Sequence, residues 1–173
     1  WMGRKSVLTE NINLLALLGA LSATDIAAGE EIKGLKTALN TALDPSISQT
    51  ASILTNQSGY NVLDNLTDKN GRGLLQPDPT QPKRMLLSGR PIIVLSDAIL
   101  ANGEGKAPIY LGDFSQFGTL IRRQNMELAT TNIGGNAWGT NSTEARAIMR
   151  MDEIKTDGAA AVKRTLALTG VGG

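Results

Sequence analysis

The sequence predicts an α+β fold, with two main helices packed on a mixed or antiparallel sheet. Three observations carry this. Apolar residues recur at helical spacing in two segments between Asp25 and Thr67. From Pro91 onward, β-branched runs and weak alternation replace that spacing. Turn residues separate the segments, with no internal repeat and no low-complexity tract.

The elements follow in order. Residues 14–23 form a short apolar stretch behind Arg4 and Lys5. It resembles a signal peptide, but Glu10, Asn11 and Asn13 interrupt the approach, and it is too short to span a bilayer. It reads as a buried helical segment. The first clear helix is expected from Thr24 or Asp25 to about Leu43, capped by Ser22 or Thr24. Asp25, Glu30 and Glu31 then sit at the positive end of its dipole. Ile32, Leu35, Leu39, Ala42 and Leu43 form its core stripe, and Asp44-Pro45 stops it. A short strand is expected at 51–54. A second helix follows, capped by Thr55 or Asn56 and running to about Thr67, with Val62, Leu63 and Leu66 on one face.

Residues 68–73 read as a tight turn, because Asn70-Gly71 favours left-handed backbone. Residues 76–82 include Pro77, Pro79 and Pro82 and read as a loop. Residues 91–95 are a β-branched run expected to be a strand buried on both faces. Residues 101–106, with Gly103 and Gly105, are expected to be a flexible loop. Residues 109–111, 118–123 and 126–130 look like consecutive strands of an antiparallel sheet, and 133–136 breaks the pattern. A long strand is expected at 145–154 and another at 162–168, with Asp157-Gly158 as the hairpin turn between them. Residues 169–173 are expected to be a frayed tail.

Composition excludes several classes of function. Seventeen basic residues balance 16 acidic ones, for a net charge of +1. Strong nonspecific attraction to nucleic acid or membrane needs a clear basic excess, which is missing. There is no cysteine and no histidine. Disulfides, cysteine-based zinc sites and catalysis by imidazole or thiolate are therefore ruled out. Aromatic residues are only 3% of the chain, so alanine, leucine and isoleucine must fill the core. A core built that way tends to gain stability from neighbouring subunits.

Motifs for chemistry are equally scarce. Residues 103–107 resemble the end of a phosphate loop, but the first glycine is missing and Ala107 replaces the Ser or Thr that would hold magnesium. Asp152 and Glu153 are adjacent on a predicted strand and point to opposite faces, so they form no paired-carboxylate site. The short glycosylation patterns at Asn56, Asn65 and Asn141 arise easily by chance. Trp138, in a glycine-rich stretch, is either an interface anchor or a partly buried core tryptophan. No catalytic residue, cofactor or metal site is expected. A carboxylate- or lysine-dependent enzyme domain is the alternative from another class, and convergent acidic or lysine side chains in a pocket would reveal it.

Several segments, in order, resemble the tailed-bacteriophage major capsid family. They are residues 53–56 leading into a helix, residues 66–75 with the Asn-Gly-Arg turn, and Gly89-Arg90-Pro91 with its apolar strand and Ser96-Asp97. After these come residues 107–116 with Gly112-Asp113-Phe114, and residues 146–152 with Asp157, Ala160, Val162 and Lys163. The resemblance covers about Ile53 to Leu168; residues 1–50 fit it only loosely. It implies a head subunit of a phage or prophage that builds five- and six-membered rings of a shell around double-stranded DNA. Residues 1–140 would be the axial domain, 141–168 closing strands toward the peripheral domain, and 169–173 a tail. The family's N-terminal arm, extended loop and spine helix would precede this sequence, and the fragment alone is expected to stay a monomer or small ring.

The resemblance also places Asn70, Gly71, Arg72 and Gly73 at the inner tip of the axial domain, near the ring axis. There Arg72 either pairs with an acidic group of the next subunit or points into water. Asn141 stands near the family's cross-linking asparagine, but Ile148 takes the place of the glutamate that promotes the bond, so no cross-link is expected. The implied partners are other copies of the chain, with scaffolding or protease proteins of the phage. DNA would be touched only non-specifically, and no membrane is involved. Assembly would take place in the bacterial host cytoplasm, ending in the virion capsid. Within the same fold, an encapsulin-type shell around a protein cargo is the alternative; a phage tail or connector protein is a third reading.

Overall fold

The computed structural model describes residues 2–67, 71–81 and 84–168. Only residues 14–19 of the N-terminal apolar stretch are helical, at the end of helix α1 (Met2–Gly19), and Ala23 already belongs to a strand; the stretch is not buried as a whole. Leu18 is buried, and Leu15 and Leu17 pack against the same core. Glu10, which interrupts the apolar pattern, is itself buried, and its carboxylate accepts a 2.6 Å bond from Arg122.

The helix expected from Thr24 begins later. Ala23–Ile26 is strand β1, separated from helix α2 (Glu31–Thr37) by a turn with Gly29 at φ +83°. Three contacts hold β1 as a strand. It pairs in parallel with β9 (Ala161–Ala167). Asp25 accepts hydrogen bonds from Lys106 and Thr165, and Lys106, the first cause, holds its carboxyl below the usual range. Ile26 lies against Gly34. Tertiary pairing has overridden a local helical pattern. Neither Ser22 nor Thr24 is the cap; Glu30 takes that position without a side-chain bond. α2 runs on as one wide turn, Ala38–Ala42, with π-type bonding. That turn rotates the face, so Ala38 is buried with Leu35, Leu39 and Leu43, while Ala42 is exposed.

Asp44-Pro45 ends this helix and also starts the next, α3 (Pro45–Thr50). The Asp44 carboxylate accepts the Ser46 N–H at 2.9 Å, and proline suits the first helical position. Strand β2 (Ser52–Asn56) then enters helix α4 (Gln57–Asp64), capped by Asn56 as expected, with Val62 and Leu63 buried.

The main sheet has seven strands in the order β1-β9-β6-β2-β5-β4-β3 and is mixed. The further strands are β3 (Gln76–Pro77), β4 (Met85–Leu87), β5 (Arg90–Leu95) and β6 (Lys106–Gly112). β6, between β9 and β2, is the most buried strand: Ala107, Ile109, Tyr110 and Leu111 are all buried. Register places Ile53 beside Leu111 and Thr55 beside Ile109, on the face where Gly59 of α4 meets Ala107. Tyr110 and Leu54 point to the other face, where Lys163 sits 5.8 Å over the Tyr110 ring and donates to the Gly19 carbonyl.

Several local expectations are corrected. β3 makes a two-residue strand inside the expected loop 76–82. β5 is not buried on both faces: Ile92 is core, but Val94 on the same face and Ile93 on the other are 41% and 38% exposed. Residues 103–106 are not a loose loop. Gly103 and Lys106 exchange two backbone bonds of 3.0 and 2.9 Å around Glu104 and Gly105, both at positive φ. That is the backbone of a tight hairpin turn. Residues 118–123 and 126–130 belong to one strand, β7 (Gly118–Thr131), which among the described residues pairs only with β8 (Glu144–Lys155), in a separate ribbon. Asp157-Gly158 therefore closes no hairpin; it carries the chain from the ribbon into β9, which lies between β1 and β6.

Asp113 ties the sheet to the ribbon. It caps helix α5 (Phe114–Phe117), accepting the Ser115 and Gln116 side chains, the Ser115 N–H at 3.0 Å, and Thr50 Oγ1 at 2.7 Å from α3. These donors, Ser115 first and Thr50 next, hold its carboxyl far below the usual carboxylate range. A carboxyl depressed in the folded state stabilises fully above its unfolded value of about 4 and loses that contribution as pH falls toward the folded value. Asp113→Asn should thus lower stability at pH 7 and flatten the acid limb below about pH 4. Urea midpoints from pH 7 to 2 check this; the same acid slope in both proteins would contradict it.

Candidate assembly interface

Two exposed tips stand out, one on the sheet layer and one on the ribbon. The first follows α4. Thr67 and Gly73 form an antiparallel bridge, and the Leu74 N–H donates to the Leu66 carbonyl at 3.1 Å. Leu75 beneath them is buried. Gly71 sits at φ +76°, the left-handed conformation a tight turn needs. Arg72 and Gly73 are exposed beside it. Asn70, the turn residue expected before Gly71, lies outside the described residues, as do Asp68 and Lys69.

The second tip is the far end of the ribbon. β7 and β8 run antiparallel from Gly118 opposite Lys155 to Thr131 opposite Glu144. At the base, the Thr156 N–H donates to the Phe117 carbonyl at 2.9 Å. α1 packs along the ribbon, with Leu17 beside Gly118 and Glu10 paired to Arg122. Two register shifts fall in β7, between Arg122 and Gln124 and between Gln124 and Glu127. Such bulges bend a strand and increase its twist.

The loop across the tip is held by its own side chains. Thr131 Oγ1 accepts the N–H groups of Ile133 and Gly134 at 3.2 and 3.1 Å. Glu144 accepts the Asn136 N–H at 3.1 Å. Its carboxylate lies against Gly135, where a Cβ would come within 2.4 Å of it. Helix α6 (Ala137–Thr140) follows, with Ala137 buried, Thr140 Oγ1 bonded to the Asn136 carbonyl, and Asn141 ending it in left-handed conformation. This ordered cradle presents Trp138 outward at 78% exposure, with Ile133 at 71%. Trp138 is therefore not a core tryptophan.

The two tips belong to different layers, so the sequence-singled residues do not converge on one site. The sequence reading missed that several apolar residues are exposed singly: Ile93 and Val94 on β5, and Ile121, Leu128 and Ile154 on the ribbon. Their signal was present as β-branched and alternating residues, but such a pattern reads as core. Among the described residues, no group of acidic side chains gathers to hold a metal, and no helix is long and apolar enough to cross a membrane. The ribbon tip offers two exposed apolar side chains, Trp138 and Ile133, on a loop held by its own hydrogen bonds, which is suited to burying area against other protein.

A sequence model described as the phage capsid family matches residues 9–165. No curated protein matches the chain. Solved structures share the fold at low identity. The capsid of an empty GTA particle superposes with a TM-score of 0.63 and 20% identity, over 85% of this chain and 48% of that one. The SrpI encapsulin of Synechococcus elongatus gives 0.62 and 11%, over 91% and 58%. A structure from Gordonia phage Cozz gives 0.53 and 18%, over 84% and 49%. The chain thus spans roughly half the length of these structures.

Proposed function

The chain belongs to the phage capsid family, and on that premise we propose that it is part of a major capsid subunit whose work is to assemble with copies of itself into a closed shell. The observation that carries this reading is the ribbon tip. A tryptophan 78% exposed, on a loop ordered by its own hydrogen bonds, is an anchor prepared for a partner. The turn at Gly71, Arg72 and Gly73 is the second proposed contact, at the ring axis; Asn70 belongs to this proposal from the sequence alone. The near-zero net charge suits a shell wall that encloses DNA without gripping it. Phage scaffolding and protease proteins, and assembly in the bacterial cytoplasm, belong to the same reading. We assign no catalytic role and no cofactor. Packaged content separates this shell from an encapsulin: DNA in one, a protein cargo in the other.

The test is Trp138→Ala. Truncating so exposed a side chain should change the folding stability of the chain by about 0.5 kcal/mol at most. Truncating a buried interface anchor costs about 2 kcal/mol, near thirtyfold in affinity per contact. Light scattering of the family-length protein should therefore show a much higher critical concentration for assembly. Arg72→Ala should weaken rings by about 1 kcal/mol or less per contact, most visibly at low salt. Assembly unchanged by Trp138→Ala across a concentration series would overturn the role of the tip.

A further inference from the structure

β7 and β8 pair with each other and, among the described residues, with no other strand. Each leaves one edge of N–H and C=O groups open, a template for another strand. The two edges differ. Both register shifts lie in β7, so its edge is bent and interrupted. β8 has no shift, no proline and no glycine over its 12 residues. It is the regular edge of the ribbon.

Its side chains carry a second pattern. One face bears Glu144, Arg146, Ile148, Arg150, Asp152 and Ile154; the other bears Ala145, Ala147, Met149, Met151, Glu153 and Lys155. Arg146, Arg150 and Asp152 are exposed and join no ion pair among the described residues. When two identical strands pair antiparallel about a two-fold axis, each residue faces one from the same side, and the residue on the axis meets itself. An axis at Ile148 sets Arg146 against Arg150. An axis at Arg150 sets that arginine against itself. An axis at Met149 instead sets Arg146 opposite Asp152 twice, and no like charges meet. It also uses the strand from Glu144 to Ile154, more than an axis at Ala147 or Met151 does.

We propose that the free edge of β8 is an interaction surface for a second copy of this chain, joined antiparallel about Met149 into a continuous four-stranded sheet. The proposal rests on the reading that copies of the chain associate, and it adds the edge and register by which they do so. Charge complementarity argues for this occupant: about Met149 the signs along β8 match those of a second β8, with Arg146 facing Asp152 twice.

The experiment uses the 173-residue chain. Sedimentation velocity over a concentration series should show a monomer–dimer equilibrium. Asp152→Arg should raise the dimer Kd at least about tenfold, because arginines then face each other, and Arg146→Asp combined with Asp152→Arg should restore it. The chain has no native cysteine, so Met149→Cys should give a disulfide-linked dimer on mild oxidation, faster than Arg150→Cys, Met151→Cys or Leu128→Cys. A chain monomeric up to about millimolar concentration, where even weak contacts register, would overturn the proposal. So would a charge swap that fails to restore pairing, or faster cross-linking from another position. Shells that form normally from family-length protein carrying Asp152→Arg would overturn the β8 edge and leave the shell reading standing.

Discussion

Gly112→Ala is expected to destabilise the chain by about 3 kcal/mol or more, the largest effect of any single methyl group added to this fold. Gly112 ends β6 opposite Ala161 of β9. A Cβ there would lie 2.1 Å from the Ala160 carbonyl oxygen and 2.6 Å from the Ala161 Cα. Both are backbone, so no flexible side-chain end can yield. The same carbonyl accepts the Asp113 N–H at 3.0 Å. Relief would have to part β6 from β9 at the point where the chain leaves the sheet for the ribbon. Domains hold only about 5–15 kcal/mol in total, so the variant should show a much reduced urea midpoint or insoluble expression. Gly139→Ala, at a glycine with open space around it, is the control and should be nearly neutral. Equal midpoints for Gly112→Ala and wild type would contradict the geometry.

Asn56→Ala should cost about 3 kcal/mol by a different route. Asn56 is fully buried. Its carbonyl accepts the Gly59 N–H at 2.8 Å, capping α4, while its amide donates to the Leu100 carbonyl at 2.9 Å and to Asn102 at 2.6 Å. Asn102 in turn donates to Ser58, and Ser58 donates to Asp97 at 2.8 Å. One side chain thus pins the loop of residues 96–102 to the start of α4. Alanine removes the cap, worth about 1 kcal/mol, and leaves buried groups unpaired at about 1–3 kcal/mol more. Gln57→Ala, exposed one residue later, should stay within about 0.5 kcal/mol. Amide exchange over residues 96–102 should rise in the Asn56 variant; protection equal to wild type would contradict the pinning role.

What the sequence made legible was local. Asn56 caps its helix through a bond only three residues long, and the Asn70-Gly71 pair announced a turn whose Gly71 is indeed left-handed; Asp44-Pro45 read only as a stop, although Asp44 also caps α3. β1 was illegible because its partner is distant: Asp25 pairs with Thr165, 140 residues on. The ribbon read as two strands because the bulged residues between Arg122 and Glu127 break the alternation. The face of β5 was misjudged because β-branched residues look the same whether they fill a core or wait at a surface. The phrases behind the family resemblance have physical reasons. Gly112 allows close strand approach, Asp113 caps α5 and holds α3, and Asp97 receives Ser58. The candidate contacts were only half legible. Trp138 was singled out by type and neighbours, but its exposure depends on a cradle formed by Thr131 and Glu144, which lie on opposite strands.

The most direct measurement of the central claim is electron microscopy of the family-length protein that carries this chain, expressed alone and with the proposed scaffolding and protease proteins. The account predicts closed particles of uniform size built from five- and six-membered rings, with Trp138 at subunit contacts and particle yield falling sharply for Trp138→Ala. A soluble, monodisperse monomer under all these conditions, or particles in which Trp138 faces solvent, would contradict it.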